Sequence, residues 1–436
     1  MSQERRRYVQ VGLGVRSWLF TEAIVDNYKD HAELVGFCDT NQGRMDLRNR
    51  HIAEKVASPV PTYKPDAFDS MIAETKPDVV IVTTGPDATH AQYICRAMEL
   101  GCDVITEKPM TVDEASCRQI LATAERTGRK LQVTFNYRYS PPRSQVREIL
   151  ASGAIGDIYS VDFSWLLDTR HGADYFRRWH RNRANSGSLL VHKSTHHFDL
   201  VNWWLGDVPD EVYARGSRRF YTPATAERMG LTGRSERCLD CPAAERCKFH
   251  LDLPNNGYLR EMYHDNEAHD GYFRDRCVFA DEIDIWDNMS VNVRYRSGAL
   301  LNYMLHTYSP YEGYRIAFNG SLGRLEHAAC ESTYLSGDGT TAGGLSAGDT
   351  SITLIPAFSD PQPIEVKTGD GDHGGGDPLM AADIFAPDAP ADPLGRKASQ
   401  RDGAYSILVG IAAYHSIDSN RPVSIPDLLG DAPLGA

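Results

Sequence analysis

The first 138 residues alternate short apolar, β-branched runs with longer amphipathic stretches. The short runs predict strands, and the stretches between them, such as 88–100 and 112–127, predict helices. Because helix-length sequence separates the strands, the pattern indicates a parallel, doubly wound sheet. The predicted strands are Tyr8–Val11, Leu34–Cys38, Val79–Thr83, Asp103–Thr106 and Leu131–Phe135.

Beyond Arg138 the pattern changes to alternating strands around a single conspicuous helix. The helix is predicted to run to about Trp204, with Ser186 or Ser188 as its cap and Gly206 at its end. Ser297-Gly298 joins two of the strands, which favours an antiparallel meander. A closing helix is predicted over 404–419 and a short strand over 422–425, whereas 336–349 and 356–403 have loop composition. The predicted strands are Ile158–Leu167, Ser290–Arg296, Ala299–Thr307 and Tyr314–Asn319.

The first predicted strand runs directly into Gly12-x-Gly14-x-x-Ser17 and then into a helix-compatible segment, 18–28. Gly12 suits a tight turn, Gly14 lets a pyrophosphate approach the backbone, and Ser17 is small enough for close packing. The second strand ends at Asp39, whose carboxylate can bind ribose hydroxyls and repel a 2′-phosphate. The pattern favours an NAD site over the alternative, an ordinary turn followed by a surface aspartate.

Ligands of such sheets bind beyond the carboxyl ends of the strands, where Glu107-Lys108-Pro109 also lies. Pro109 keeps Lys108 extended, so its ammonium can project into the cofactor crevice. The alternative is a surface lysine in a salt bridge. The candidate cofactor-binding residues are Gly12, Gly14, Ser17, Asp39, Arg44, Thr84, Pro86, His90, Glu107, Lys108 and Asn136.

The composition excludes some function classes. The 436 residues contain 46 Lys and Arg against 59 Asp and Glu, a net charge of −13, which argues against a nucleic-acid or anionic-membrane partner. The apolar run after Arg5-Arg6-Arg7 is too short for an export signal, and no stretch approaches the length of a membrane span. We therefore expect a cytoplasmic protein.

The predicted helix of the second region carries His192, His196 and Asp199 on one face, with Lys193 and His197 on a neighbouring face. Three interpretations compete: a proton-transfer site, a metal site from two histidines, and capping with core packing. We favour proton transfer by His196 and His192, because so many ionisable groups are hard to bury without a purpose.

An Arg-, His- and aromatic-rich segment, 174–183, precedes this helix. Such a segment suits an anionic or polyhydroxylated substrate, or else it is a solvated basic turn. Later in the chain, His373 and Asp377 either close over the active site or belong to a surface loop. The candidate substrate-binding residues are Arg138, Arg177, Trp179, His180, Lys193 and His197.

Four of the nine cysteines are grouped in an insertion at about 236–280, namely Cys238, Cys241, Cys247 and Cys277. Their spacing favours a structural zinc site, with an iron–sulfur cluster and free or disulfide-bonded thiols as alternatives. His250 or His264 can replace one thiolate. The neighbouring Tyr258, Arg260, Tyr263, His264 and Tyr272 are candidates for one wall of the pocket.

Gly12-x-Gly14, Asp39, Glu107-Lys108-Pro109 and the His192…His196…Asp199 helix together resemble the Gfo/Idh/MocA oxidoreductases. The resemblance implies an N-terminal NAD-binding Rossmann domain, 1–138, and an α+β domain, 139–436, with a mainly antiparallel open sheet. It places Lys108 beside the nicotinamide and makes His196 the proton acceptor. An Asp usually stands four positions before that histidine, where this chain has His192.

We therefore expect an NAD-dependent oxidoreductase acting on a sugar or polyol. The departure at His192 leaves open an NAD-dependent glycosidase acting on an anionic, even sulfonated, glycoside, as found in the resembling family. A non-catalytic NAD-binding sensor is a further alternative. The resemblance also implies a homodimer or homotetramer formed through the open sheet.

Overall fold

Two β-sheets organise the part of the chain that the structure, a computed structural model, describes: residues 5–333, 349–370, 372–389 and 391–434, without the side chains of 372 and 373. The strands are β1 (Arg6–Val11), β2 (Ala32–Cys38), β3 (Thr62–Tyr63), β4 (Val79–Val82), β5 (Asp103–Thr106), β6 (Leu131–Val133), β7 (Ile158–Asp168), β8 (Pro209–Ser217), β9 (Asn288–Tyr295), β10 (Leu300–Ser309), β11 (Tyr311–Gly320), β12 (Gly323–Thr333), β13 (Thr350–Pro356), β14 (Gln362–Ile364), β15 (Ala398–Ser399) and β16 (Val423–Ser424).

The α-helices surround these sheets. They are α1 (Trp18–Glu22), α2 (Gln42–Ile52), α3 (Phe68–Thr75), α4 (His90–Glu99), α5 (Glu114–Thr127), α6 (Pro141–Ala151), α7 (Thr169–Arg177), α8 (Arg183–Ser186), α9 (Leu189–His192), α10 (Ser194–Leu205), α11 (Pro223–Arg228), α12 (Gly257–Met262), α13 (Glu267–Asp270), α14 (Asp372–Phe385), α15 (Gln400–Ser419) and α16 (Ile425–Leu429). Within the described ranges, no helix combines the length and apolar character needed to cross a membrane.

The N-terminal sheet has the strand order β15-β6-β5-β4-β1-β2-β3. All neighbouring strands pair in parallel except β15, which runs antiparallel to β6. All four residues of β4 are buried, because helices cover both faces of the sheet. This arrangement confirms the doubly wound sheet that the sequence predicts.

The second sheet has the order β14-β13-β12-β11-β7-β10-β9-β8-β16 and is mainly antiparallel, as predicted. The predicted simple meander is wrong at one point, because β7 lies between β10 and β11 and pairs with β10 in parallel. Only Pro310 separates β10 from β11, and one residue is too short for a hairpin turn. The chain therefore crosses over the end of β7 instead of folding back on β10.

The helices α9 and α10 carry the predicted histidines. Ser188 caps α9 by accepting a hydrogen bond from Leu190 N at 3.2 Å, and Gly206 ends α10 with a φ of 64°. The predicted continuous helix is interrupted at Lys193. The long helix α15 packs against both segments and is buried over most of its length, which confirms the closing helix.

The prediction of loop structure over 356–403 is wrong for 372–385, which form α14. Met380 and Phe385 of this helix are buried, and the ring of Phe385 packs edge-on against Tyr8 of β1. Apolar residues along one side of the segment thus stabilise a helix that its Gly- and Asp-rich start conceals. Of the predicted loop 336–349, only residue 349 lies within the described residues, and the side chain of His373 lies outside them.

Candidate active site

A cleft of about 1490 Å³ lies between the two sheets, beyond the carboxyl ends of the N-terminal strands. Its volume exceeds that of an ordinary small-ligand pocket, about 300–1,000 Å³, and so provides room for a dinucleotide together with a substrate. The walls come from the glycine loop, the ends of β4 and β5, α7, α9, α10, α14 and the cysteine-containing insertion. The cleft therefore combines residues from both predicted domains.

The glycine loop has the geometry of a dinucleotide cradle. Gly12 has a φ of 87°, and a Cβ added there would lie 2.6 Å from the backbone of Thr84. A Cβ on Gly14 would meet only the hydroxyl of Tyr263, at 3.9 Å, so this side of the loop is open for a ligand. Ser17 does not line the cleft: it is buried, donates to Gly14 O at 2.6 Å and accepts from Arg48 at 2.9 Å, and so supports the loop.

We expect the two glycines to respond differently to substitution by alanine. Gly14→Ala should fold normally and weaken NAD binding about tenfold, because its methyl group enters the open side of the loop. Gly12→Ala should instead destabilise the fold by about 1–3 kcal/mol, because the methyl group meets backbone. Thermal unfolding and NAD titration of both variants separate the two effects; equal NAD affinity of Gly14→Ala and the unsubstituted protein would contradict the cradle.

Asp39 lies at the end of β2 and is only 7% exposed. Its Oδ2 accepts from Leu13 N at 2.6 Å, and its Oδ1 accepts from Asn41 N at 2.7 Å and from Arg44 at 3.1 Å. The carboxylate is thus fixed beside the glycine loop, as a ribose-binding acid requires. Arg44 and Asp39 both line the cleft, as do Thr84, Pro86, His90, Glu107 and Asn136.

His90 lines the cleft but has a structural environment. Its Nδ1 lies 2.8 Å from Pro109 O and its Nε2 lies 2.9 Å from Thr84 O, so both ring nitrogens face backbone carbonyls. Burial lowers its pKa below the ordinary value. His90 therefore joins the ends of β4 and β5 and holds the loop that carries Lys108.

Sequence reasoning did not identify Arg16, which lies inside the glycine motif. Its guanidinium donates to Glu107 at 2.9 Å and to Asp377 of α14 at 2.7 and 2.9 Å. Asn136 also donates to Asp377 at 2.7 Å, and the Oδ1 of Asn136 is buried without a hydrogen-bond partner in the described chain. That free acceptor suits an amide N–H, such as the carboxamide of a nicotinamide.

Lys108 reaches the second domain, where its Nζ donates to His192 O at 3.3 Å. Burial lowers the pKa of Lys108 to about 8, although Asp87 and Glu107 act in the opposite direction. At neutral pH the ammonium form therefore still predominates. Lys108 can donate a hydrogen bond to a ligand oxygen and stabilise negative charge on it.

Asp87 is a second residue that sequence reasoning missed. It follows Pro86 at the end of β4, is 3% exposed, and its Oδ2 lies 2.5 Å from His192 Nδ1. Burial raises the pKa of Asp87 well above its ordinary value and lowers that of His192 well below. Both shifts favour the uncharged form of each group. Its position after a strand end could have indicated a residue of the site, but an aspartate there is also common at the start of a helix.

His196 lines the same cleft and is 6% exposed, with its ring stacked on Tyr137 at a centroid distance of 4.2 Å. His197, which the sequence predicts as a substrate ligand, does not line the cleft. Its ring stacks on Trp165 at 4.0 Å, and Nδ1 lies 2.6 Å from the hydroxyl of Tyr303. Adjacent helical residues point about 100° apart, so His196 faces the cleft and His197 the core.

Comparison with protein families agrees with this arrangement. The family model for "Oxidoreductase family, NAD-binding Rossmann fold" matches residues 6–135, and that for "Oxidoreductase family, C-terminal alpha/beta domain" matches residues 147–425. The chain belongs to the Gfo/Idh/MocA oxidoreductase family. The chain is 37% identical to YteT of Bacillus subtilis (strain 168), which is named as an oxidoreductase, over 97% of this chain and 98% of that protein.

Two further proteins show a lower similarity to this chain. Inositol 2-dehydrogenase of Rubrobacter xylanophilus is 30% identical over 35% of this chain and 40% of its own length. The crystal structure of the WlbA dehydrogenase from Bordetella pertussis, in complex with NADH and UDP-GlcNAcA, superimposes with a TM-score of 0.63 at 17% identity. That match covers 97% of this chain and 98% of the other. The similarity to this crystal structure supports the fold of the chain.

Against the pattern of Gfo/Idh/MocA enzymes, the aspartate expected four positions before His196 is replaced by His192. The structure supplies a carboxyl group from elsewhere, because Asp87 of the N-terminal domain contacts the His192 ring directly. A carboxyl group thus still lies at this point of the cleft. It comes from the end of β4 and not from the histidine-bearing helix.

The two arginines predicted to bind substrate do not line the cleft. Arg138 is 2% exposed and donates to Asp199 at 2.6 and 2.8 Å, which is a buried structural pair. Arg177 donates to Phe249 O at 3.1 Å and ties α7 to the insertion. Burial of such a long charged side chain requires partners, which Arg138 finds in Asp199 and Asp402. Trp179, His180 and Lys193 do line the cleft.

The structure does not support the predicted zinc site. Cys238, Cys241, Cys247 and Cys277 are free thiols around one small cavity, and no group of three or more His, Cys, Asp or Glu in the described chain is arranged to hold a metal. Burial raises the pKa of Cys238 and Cys247, which favours neutral thiols. Three of the cysteines pack against the main core as small apolar residues.

Proposed function

We propose that the protein is an NAD-dependent oxidoreductase that transfers a hydride between a hydroxyl-bearing carbon of a carbohydrate and nicotinamide. The observation that carries this proposal is the meeting of Lys108 from the first domain with His192 and His196 from the second, in the cleft that also contains the glycine loop. The family membership and the inositol and sugar dehydrogenases among its relatives support it.

The side chains have complementary roles in this proposal. Lys108 holds the reacting hydroxyl oxygen and stabilises negative charge that develops on it. His196 accepts the hydroxyl proton, and the His192–Asp87 pair positions the lysine through the backbone carbonyl of His192. Bound NAD supplies the hydride acceptor. Burial of both histidines keeps water away from the reacting carbon.

The charge around Arg178 and Arg274 in the cleft indicates the class of carbohydrate. Asp174 faces three arginines, with Arg177 and Arg274 each at 3.3 Å and Arg178 at 4.0 Å. Buried Arg274 leaves Nε and Nη1 without hydrogen-bond partners in the described chain. Two of the arginines, Arg178 and Arg274, line the cleft. This surplus of guanidinium groups favours a sugar that carries a carboxylate or another anionic group.

The direct test is an assay with NAD and paired neutral and carboxylated sugars and polyols, each deuterated at the candidate ring carbons. Transfer of deuterium to nicotinamide, detected by mass spectrometry, is the expected result. Release of an aglycone without net NADH would indicate redox-neutral glycoside cleavage instead. Tight NAD binding without transfer from any carbohydrate would indicate a sensor and overturn the proposal.

We expect Arg178→Gln to raise the KM for an anionic sugar about tenfold while leaving that for the matched neutral sugar unchanged. Arg276→Gln is the control, because Arg276 pairs with Glu236 on the insertion surface and does not line the cleft. NAD affinity is measured for both variants. A loss of NAD affinity in Arg178→Gln, with equal effects on both sugars, would place the arginine at the pyrophosphate instead.

A further inference from the structure

The cysteine-containing insertion packs directly on the helix that follows Asp39. Met262 and Tyr263 form a small apolar cluster with Leu47 of α2. At the start of α2, Asn41 donates to Asn266 O at 2.9 Å. A Cβ added to Gly43 would lie 1.7 Å from Asn266 Oδ1, so the two segments are in close contact. The insertion therefore belongs structurally to the edge of the N-terminal domain where the adenosine half of a dinucleotide binds.

Arg44 is held between two carboxylates from different domains. Its Nη2 donates to Asp39 Oδ1 at 3.1 Å and to Asp270 Oδ2 of the insertion at 2.5 Å. All three side chains are largely buried, with 10% of Arg44, 6% of Asp39 and 12% of Asp270 exposed. The group as a whole carries one net negative charge beside the predicted ribose site.

Tyr263 extends the same contact to the pyrophosphate side of the loop. Its hydroxyl accepts from Val15 N at 3.4 Å, next to the open face of Gly14. Arg274 stacks over the Tyr263 ring, with its guanidinium carbon 4.7 Å from the ring centroid, and also donates to Asp174. The insertion thus connects the glycine loop to Asp174 and its neighbouring arginines.

We propose that the insertion is part of the dinucleotide site, in which Asp270 neutralises Arg44 and thereby selects NAD over NADP, while Tyr263 and its neighbours retain the bound cofactor. The proposal rests on dinucleotide binding at the glycine loop. It adds cofactor ligands from the second domain, and it gives the insertion a function that requires no metal.

The charge balance explains the selectivity. A 2′-phosphate would enter beside Asp39, and an arginine at this position is the residue that accommodates such a phosphate in NADP-binding domains. Here the carboxylates of Asp270 and Asp39 both accept hydrogen bonds from Arg44, so two negative charges face its one positive charge. Removing the charge of Asp270 leaves Arg44 facing a single carboxylate and reduces the repulsion of a phosphate.

The test of selectivity compares Asp270→Asn with the unsubstituted protein. Each is titrated with NAD and with NADP, and binding is monitored by tryptophan fluorescence. We expect the ratio of the NADP and NAD dissociation constants to fall about tenfold in Asp270→Asn. Asp265→Asn is the control, because Asp265 is exposed on the same insertion and pairs with Arg260. Asp270→Glu, which keeps the charge, should retain the original ratio. An unchanged ratio in Asp270→Asn would overturn the selectivity.

The test of retention uses Gly43→Ala, whose methyl group would displace the side-chain amide of Asn266 from its contact with α2. We expect NAD to dissociate about tenfold faster from this variant in stopped-flow displacement. Gly257→Ala is the control, because a Cβ at Gly257 of the insertion meets nothing within 4 Å. Equal dissociation rates in the two variants would overturn retention. If the unsubstituted protein bound neither dinucleotide, the proposed function itself would fail, and this outcome is separate from the other two.

Discussion

Replacing Lys108 with alanine is expected to lower kcat by on the order of 10³-fold while leaving NAD affinity nearly unchanged. The Lys108 ammonium is the donor that reaches across the cleft, where it contacts the backbone carbonyl of His192 at 3.3 Å. Its removal takes away the group that we propose holds the reacting oxygen, whereas the glycine loop and Asp39 are untouched. Steady-state turnover and NAD titration of the variant measure the two effects separately.

The control for this variant is Lys367→Ala, since Lys367 lies on the surface and pairs with Glu148. It should retain full turnover. The Lys108 variant contains no new buried charge, so its melting temperature should stay within a few degrees of the original. Full turnover by Lys108→Ala, measured with a substrate that the unsubstituted protein oxidises, would show that Lys108 takes no part in the reaction.

The pH dependence gives a second view of the same residue. Burial lowers the pKa of Lys108 to about 8, so its donating ammonium form is lost as the pH rises through that value. We therefore expect kcat/KM to fall about tenfold per pH unit above pH 8. In Lys108→Arg the decline should be absent, because a guanidinium stays charged over this range. An unchanged alkaline limb in Lys108→Arg would assign that pKa to another group.

Replacing Asp87 with asparagine is expected to lower kcat about 10²-fold, again with little change in NAD affinity. The Asp87 carboxyl lies 2.5 Å from His192 Nδ1, and His192 in turn provides the carbonyl that positions Lys108. An amide of the same shape cannot change its protonation state, and it fits the imidazole only in one of its two orientations. Turnover as a function of pH is the measurement that reveals this loss.

Asp69→Asn serves as the control for Asp87, because Asp69 is an exposed carboxylate of the same domain that pairs with Arg96. It should leave both turnover and the pH profile unchanged. A purely structural role of Asp87 would instead lower the melting temperature without altering the pH profile of kcat. That result would exclude Asp87 as a positioning residue.

Much of the N-terminal domain could be predicted because its signals are local. The strand, Gly12-x-Gly14 and Asp39 could be predicted in this order because the residue types at these positions reflect local requirements of the backbone. Lys108, His192 and His196 could also be identified, since each follows a strand end or shares a helical periodicity. The helix over 372–385 was missed because its glycines and Pro378 suggest a loop, whereas burial against Tyr8 stabilises it.

The sequence by itself determined the parallel sheet, the glycine cradle and the residue types of the proposed reaction, because each depends on neighbours a few positions away. Only the tertiary structure decided which side chains share the cleft. It placed Asp87 against His192, 105 positions away, and Asp270 against Arg44, 226 positions away. It also directed Arg138 and His197 into the core, because a buried charge or ring nitrogen takes whichever partner the packing brings to it.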